Sequence, residues 1–236
     1  MDTVILAAGR NQRLQHIIPP YHKPFIVLNG RSVLERAVDV ATQVHPSDRC
    51  IVVCAPQNAV QAAHVVNGRA LLAVQAMPRG PGDALWCGLQ LVVTEHVLVL
   101  MGDNVTDVGD VRQFQPTDGN VTERVGVQRT RDLERATSFT VWNHKSRRWE
   151  EKVPIGPEHT EPTVDIYGDD TQLVTCWFGP LMLRTARALD ILTTARVIDD
   201  GTVRPELLIG PILSELAPNG VHVSVHTSDV DTEVLR

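Results

Sequence analysis

A chain of 236 residues, 43% hydrophobic and 21% charged, has the material for one large globular domain or for a core domain with an insertion. Its formal net charge of −6 excludes a protein that coats nucleic acid through counterion release. No run approaches ~18 uninterrupted apolar residues, so no membrane span is expected, and a start with Asp2 and no basic stretch shows no secretory signal.

The chain opens on an apolar run, "TVILAA", that stops at Gly9, as expected of a strand covered on both faces. "SVLERAVDVATQV" spaces Val33, Leu34, Ala37, Val38 and Ala41 for a helix, with Ser32 as its N-cap. "CIVVCA" reads as a second buried strand, "QNAVQAAHVV" as a helix and "RALLAVQ" as a third strand. A helix beginning near Pro81, "PGDALWCGLQLVV", then precedes a fourth strand, "HVLVLMG". Strand–helix alternation with such short connections implies a parallel sheet with right-handed crossovers, whose ligands bind beyond the carboxyl ends of the strands. Those ends are Ala8–Arg13, Ala55–Asn58, Gln75–Gly80 and Gly102–Asn104.

From about residue 120 the pattern changes to short strands with polar breaks: "ERVGVQ", "SFTVWN", "RWEEKV" and "QLVTCWFG". "PLMLRTARALDILTT" and "RPELLIGPILSEL" read as helical in part, and "GVHVSVH" alternates as a strand. "GPEHTEPTVDIYGDD" is the best candidate for a long, mobile loop. Cys50 and Cys54 share a predicted strand, where they stand ~13 Å apart and cannot bridge. With no Cys-x-x-Cys knuckle, a reduced, cytoplasmic protein is expected.

The loop after the first strand lacks both the Gly-x-Gly-x-x-Gly of dinucleotide folds and the Gly-Lys-Ser/Thr of a P-loop. It offers backbone amides at Ala8 and Gly9, with Arg13 and Lys23 beyond them, a combination suited to a triphosphate. A solvated loop carrying incidental basic residues is the competing reading. Composition bears on the choice: the chain has three lysines, Lys23, Lys145 and Lys152, among 22 basic residues. Lysine is a compact point charge that arginine does not always replace beside a phosphate.

Six stretches in order resemble the nucleoside-diphosphate-sugar pyrophosphorylases, above all the glucose-1-phosphate thymidylyl- and uridylyltransferases. They are "LAAGRNQRL" followed by "HKPFIVLNG", "VQAMPRGPGDAL", "VLMGDN", "WEEKV", "FGPLML" and "SDVDTEVL". The resemblance implies an α/β fold with a Rossmann-like, mixed but mostly parallel sheet flanked by helices, of glycosyltransferase-A-like architecture. It also implies one nucleotidyltransferase domain over 1–236, with a nucleotide-binding core (1–115), a sugar-phosphate-binding part and a C-terminal strand (116–236). The implied reaction joins dTTP or UTP to a sugar 1-phosphate, glucose 1-phosphate by default, giving an NDP-sugar and pyrophosphate.

By the same resemblance, Leu6, Ala7, Ala8, Gly9, Asn11 and Arg13 would line the triphosphate, and Arg13 and Lys23 would be the catalytic cations. Gln75 and Gly80 would read the base. Asp103 and Asp229 would hold Mg²⁺, Asp103 also contacting the nucleotide. Ser138, Glu151, Lys152 and Gly179 would bind the sugar phosphate. An Asp capping the element after "LMG" and a solvated Glu151–Lys152 strand edge are the bland alternatives.

The sequence also departs from the family pattern. Asn11 replaces a glycine, His22 precedes Lys23, Trp177 and Phe178 precede Gly179, and Asp231 replaces a glycine. Two other functions stay open: a cytidylyltransferase for a phosphorylated alcohol such as choline phosphate, and a non-catalytic nucleotide-binding relative. Small-molecule substrates, neither nucleic acid nor membrane, and room for a homo-oligomer complete the expectation.

Overall fold

The computed structural model describes residues 1–9, 22–116, 123–137, 139–151, 153–164, 170–198, 200–218, 220–226 and 228–229. The first half follows the expected alternation. Strand β1 (Asp2–Ala7) is followed by a 3₁₀ turn at Lys23–Phe25 and the small hairpin β2 (Val27–Leu28) and β3 (Arg31–Ser32). Then come α1 (Val33–Val44), β4 (Cys50–Cys54), α2 (Ala59–Val66), β5 (Leu71–Val74), α3 (Pro81–Leu89), β6 (His96–Met101), β7 (Asn104–Val105) and α4 (Val108–Val111).

Local chemistry accounts for these boundaries. The Ser32 hydroxyl accepts the Glu35 N–H at 3.1 Å and starts α1, whose buried face carries Val33, Leu34, Ala37, Val38 and Ala41 as the spacing required. Asn67, left-handed at φ 44°, closes α2. The buried Asp2 carboxylate is satisfied by the Arg49 and Val93 N–H groups at 3.0 and 2.8 Å, so β1 is tied to the chain entering β4 and the chain leaving α3.

The second half adds β8 (Arg124–Thr130), α5 (Leu133–Ala136), β9 (Thr140–Asn143), β10 (Arg148–Glu151), β11 (Thr160–Val164) and the long β12 (Asp170–Arg184). After these come α6 (Thr185–Arg196), α7 (Gly210–Leu216), β13 (Val221–Ser224) and β14 (Ser228–Asp229). Among the described residues one mixed sheet of ten strands runs through both halves, in the order β10-β9-β12-β6-β1-β4-β5, with β11 and β8 on β12 and β13 on β8. Strands β6, β1, β4 and β5 are mutually parallel, and β12 enters antiparallel beside β6. Buried apolar clusters cover the two faces: Val4, Val53, Leu85, Val99 and Leu192 on one, Ile5, Val52, Leu98, Leu34 and Phe114 on the other. Their alternation along β1, β4 and β6 shows why those strands are apolar throughout.

One expectation is corrected and another gains its bounds. The stretch expected as a mobile loop forms a 3₁₀ turn at Pro157–His159 and then β11, which pairs antiparallel with β12 from Thr160↔Val174 to Val164↔Asp170; residues 165–169 lie outside the described part. In the stretch read as helical in part, "PLMLR" continues β12 to Arg184, and the helical part is α6 from Thr185. The first depends on the strand that follows it in the chain, and the second on β6, which is remote in sequence.

All four cysteines are free, and Cys87 alone among them is not buried. Burial pushes the Cys50 and Cys176 thiols up to about 12 and raises Cys54 and Cys87 as well, so accessibility sets the order of reaction. Iodoacetamide at ~pH 8 should therefore label Cys87 well ahead of the other three, which should react only on unfolding. Peptide mapping by mass spectrometry checks the order.

Candidate active site

The sheet register brings the expected nucleotide residues to one rim. Ala7 lies opposite Cys54, Cys54 opposite Val74, and Leu6 opposite Met101, so Ala8–Gly9, Ala55, Gln75 and Gly102–Asp103 leave the sheet side by side. The Gln75 N–H to Cys54 carbonyl bond (2.9 Å) and the Gly102 N–H to Leu6 carbonyl bond (2.8 Å) carry this alignment one residue further. At Gly102 a side chain would stand 2.9 Å from Ala7 Cβ and from the Leu6 carbonyl oxygen, so this close passage needs glycine. Leu6, Ala7 and Ala8 are buried, whereas Gly9 is exposed with open space around it. The rim thus opens to a ligand at Gly9. Asn11 and Arg13 lie outside the described residues.

Lys23 is 7% exposed and begins the 3₁₀ turn that Pro24 and Phe25 complete. Phe25 is packed in the core with Leu34 and Val38 of α1, which fixes where the lysine leaves the chain.

Asp103 is half-buried, in the turn between β6 and β7. Strand β14 returns from the far end of the chain and pairs antiparallel with β7, placing Asp229 opposite Asn104. Asp229 is therefore one register position from Asp103, though the two are far apart in sequence. Among the described residues there is no cluster of three or more His, Cys, Asp or Glu suited to a metal. Two carboxylates fit Mg²⁺, which takes one or two of them and fills its octahedron with phosphate oxygens and water. Asp231 lies outside the described residues.

Gln75 is 2% exposed, and its amide N–H groups are spent within the protein. Its Nε2 donates to the Gly80 carbonyl at 3.0 Å and to Asp83 Oδ2 at 2.9 Å. Asp83, also 2% exposed, accepts at Oδ1 from Arg196 Nε at 2.6 Å. The Arg196 guanidinium stacks over the Trp86 ring, 3.9 Å from its centroid, and Trp86 Nε1 donates to Thr193 Oγ1 at 3.0 Å. Sequence reading missed Asp83 and Arg196. The available signal was an acidic residue inside an apolar helix stripe, "GDALW", where burial demands a partner.

Gly80 has φ +89°, and Leu207 is laid against it: the Leu207 N–H donates to Arg79 O at 2.6 Å, and Leu207 O accepts from Gly82 N–H at 2.8 Å. A Cβ at Gly80 would stand 2.7 Å from Leu207 O. Gly80→Ala should therefore destabilise the protein by about 1–3 kcal/mol through backbone strain and a clash with main chain. Thermal unfolding of the variant measures that loss, and unchanged stability would mean that the loop moves away from Leu207 without cost.

The sugar-side residues follow along the same rim. Glu151 ends β10 opposite Thr140, and Gly210, at the start of α7, lies directly against Glu151 Oε2 and Thr140 Oγ1. The β12–β6 register (Leu181↔Val99) runs Gly179 toward the Met101–Gly102 end of β6. Gly179, at φ +136°, sits where the β12–β8 register shifts, and its carbonyl accepts Trp177 Nε1–H at 3.1 Å. Ser138 and Lys152 lie outside the described residues.

Residues 3–115 match the model of the MobA-like NTP transferase domain. The bifunctional protein GlmU of Burkholderia orbicola (strain MC0-3) is 38% identical over 104 residues, 44% of this chain and 22% of that protein. The 2-C-methyl-D-erythritol 4-phosphate cytidylyltransferase of Corynebacterium efficiens is 31% identical over 109 residues, 43% of each protein. The chain thus matches less than half the length of these relatives. Over nearly its whole length it shares the fold of two solved structures. One is a Bacillus anthracis protein assigned as a glucose-1-phosphate thymidylyltransferase (TM-score 0.74, 19% identity, 99% of this chain and 91% of that one). The other is the inositol-1-phosphate CTP transferase of T. maritima (TM-score 0.69, 13% identity, 98% and 89%). These findings bear out the resemblance to sugar nucleotidyltransferases and the Rossmann-like mixed sheet. Among the described residues no helix is long and apolar enough to cross a membrane.

Proposed function

We propose that this chain, which carries a MobA-like NTP transferase domain over residues 3–115, is a cytoplasmic sugar-1-phosphate nucleotidyltransferase using UTP or dTTP. The observation that carries the reading is the β14–β7 pairing, which returns Asp229 to Asp103 on the rim where the loop after β1 opens. A phosphate loop alone would bind a nucleotide. A second carboxylate brought from the far end of the chain is what phosphoryl chemistry adds.

In this reading an oxygen of the sugar 1-phosphate attacks the α-phosphorus of the nucleotide in line. A new P–O bond forms, the bond from the α-phosphorus to the bridging oxygen breaks, and pyrophosphate leaves with the electron pair. The loop amides at Ala8 and Gly9 receive phosphate oxygens, and Arg13 and Lys23 hold the charge that grows as the bond breaks. Asp103 and Asp229 would hold Mg²⁺, which supplies charge neutralisation between the phosphates. Gln75 and Gly80 face the base. Glu151, Gly179, Ser138 and Lys152 hold the sugar phosphate against the rim so that attack is in line. The nucleotide-binding core (1–115) and the sugar-phosphate part (116–236) act across this shared rim.

A matrix of nucleoside triphosphates against sugar phosphates, read by pyrophosphate release, tests the proposal. UTP or dTTP with a hexose 1-phosphate is expected to turn over. Nucleotide binding without turnover across a broad panel would overturn it. The similarity to two cytidylyl-transferring proteins supports a second reading, a CTP enzyme for a phosphorylated alcohol. CTP paired with phosphorylated alcohols belongs in the same matrix and separates the two.

A further inference from the structure

The Gln75–Asp83–Arg196 network has a consequence for nucleotide choice. A primary amide can face a ligand with either its oxygen or its nitrogen, and a freely rotating one reads both kinds of base edge. Gln75 has lost that freedom. The Gly80 carbonyl and the Asp83 carboxylate are both acceptors, so only the Nε2 side of the amide can face them. Asp83 is held as a carboxylate acceptor by Arg196, which bonds its other oxygen at 2.6 Å and is itself held flat on Trp86. Of the Gln75 amide, the atom that these bonds leave over is Oε1. An oxygen at that place accepts from the N3–H of uracil or thymine and opposes the bare N3 of cytosine.

Arg196 and Leu207 lie beyond the stretch that matches the transferase domain, yet they tie down both sides of the base loop. Leu207 does so through main-chain bonds to Arg79 and Gly82, and the Arg204 N–H to Arg196 carbonyl bond (2.7 Å) links the two holds.

We propose that Asp83 and Arg196 are positioning residues that lock the Gln75 amide with its oxygen toward the base, and so select uracil or thymine nucleotides over cytosine ones. This rests on the reading of Gln75 as a base contact.

Calorimetric binding of UTP, dTTP and CTP to the full chain tests it without requiring turnover. The native chain should prefer UTP or dTTP to CTP by roughly tenfold, the worth of one hydrogen bond against one opposed pair. Asp83→Asn keeps the shape but lets the side-chain amide at 83 donate, so Gln75 can turn over and the preference should fall toward one. Arg196→Lys keeps the charge but loses the fork and the stacking, and should shift the preference part of the way. In the Gln75→Ala background, Asp83→Asn should change the preference no further, because both changes act through one amide.

A preference for CTP in the native chain, or one that survives both Asp83→Asn and Arg196→Lys, would overturn the proposal. So would an Asp83→Asn effect of equal size with and without Gln75. If Gln75→Ala leaves the preference unchanged, Gln75 is not a base contact, and the parent reading falls with this one. Melting curves accompany each variant, and if Asp83→Asn does not fold, Arg196→Lys and its double with Gln75→Ala decide.

Discussion

Asp103→Asn is expected to lower turnover by about 10²–10³-fold or more, with Asp229→Asn close behind. The residues stand on opposite sides of the short β14–β7 pairing, with Asp229 opposite Asn104 and Asp103 next in the chain. A bound divalent ion contributes several kcal/mol of charge stabilisation in phosphoryl transfer, and each ~1.4 kcal/mol is tenfold in rate. An amide in place of a carboxylate keeps the shape and a carbonyl oxygen but loses the charge, so Mg²⁺ should bind more weakly as well as act less well. Titrating Mg²⁺ during turnover shows both effects: the half-saturating concentration rises and the plateau falls. Asp231→Asn, outside the described residues, should keep much of the activity, since a third carboxylate overcharges a site that also receives triphosphate oxygens. Full activity in Asp229→Asn with loss in Asp231→Asn would reverse the assignment.

The other large effect is expected at the phosphate loop. Lys23→Ala and Arg13→Ala should each cost on the order of 10²–10³ in kcat, the scale of removing one preorganised donor from a developing oxyanion. Lys23 is buried at the start of a 3₁₀ turn anchored by Phe25, so its position is set by packing. For that reason Lys23→Arg should not restore activity: a longer, planar group does not fit the place of a compact ammonium. Steady-state kinetics separates the roles. A fall in kcat with little change in KM marks a contact made in the transition state, and a rise in KM alone marks uniform binding. Wild-type rates in both alanine variants would mean that neither cation acts on the reacting phosphates.

Much of the rim was legible before any coordinates, because its causes are short-range. Apolar runs ending in small residues named β1, β4 and β6, since a strand buried on both faces has no polar alternate positions. Ser32 announced α1 because a cap acts within three residues of itself. The family-like stretches picked out Gly9, Gln75 and Asp103 just past strand ends, and the sheet register brings those ends to one edge.

What sequence could not supply depends on partners remote along the chain. A strand's pairing is settled by its neighbour, so where strand ends and helix begins in a stretch read as helical in part is decided by β6, far earlier in the chain. The return of Asp229 to Asn104 is likewise a long-range pairing, implied by family resemblance and visible as physics only in the fold. Gln75 is the plainest case. The family-like stretch gave it as a base contact only by resemblance, and which end of its amide is held within the protein is set by Asp83, and through Asp83 by Arg196, a residue that helix α6 brings over α3. A side-chain amide carries both chemistries at once, and burial against two acceptors chooses between them.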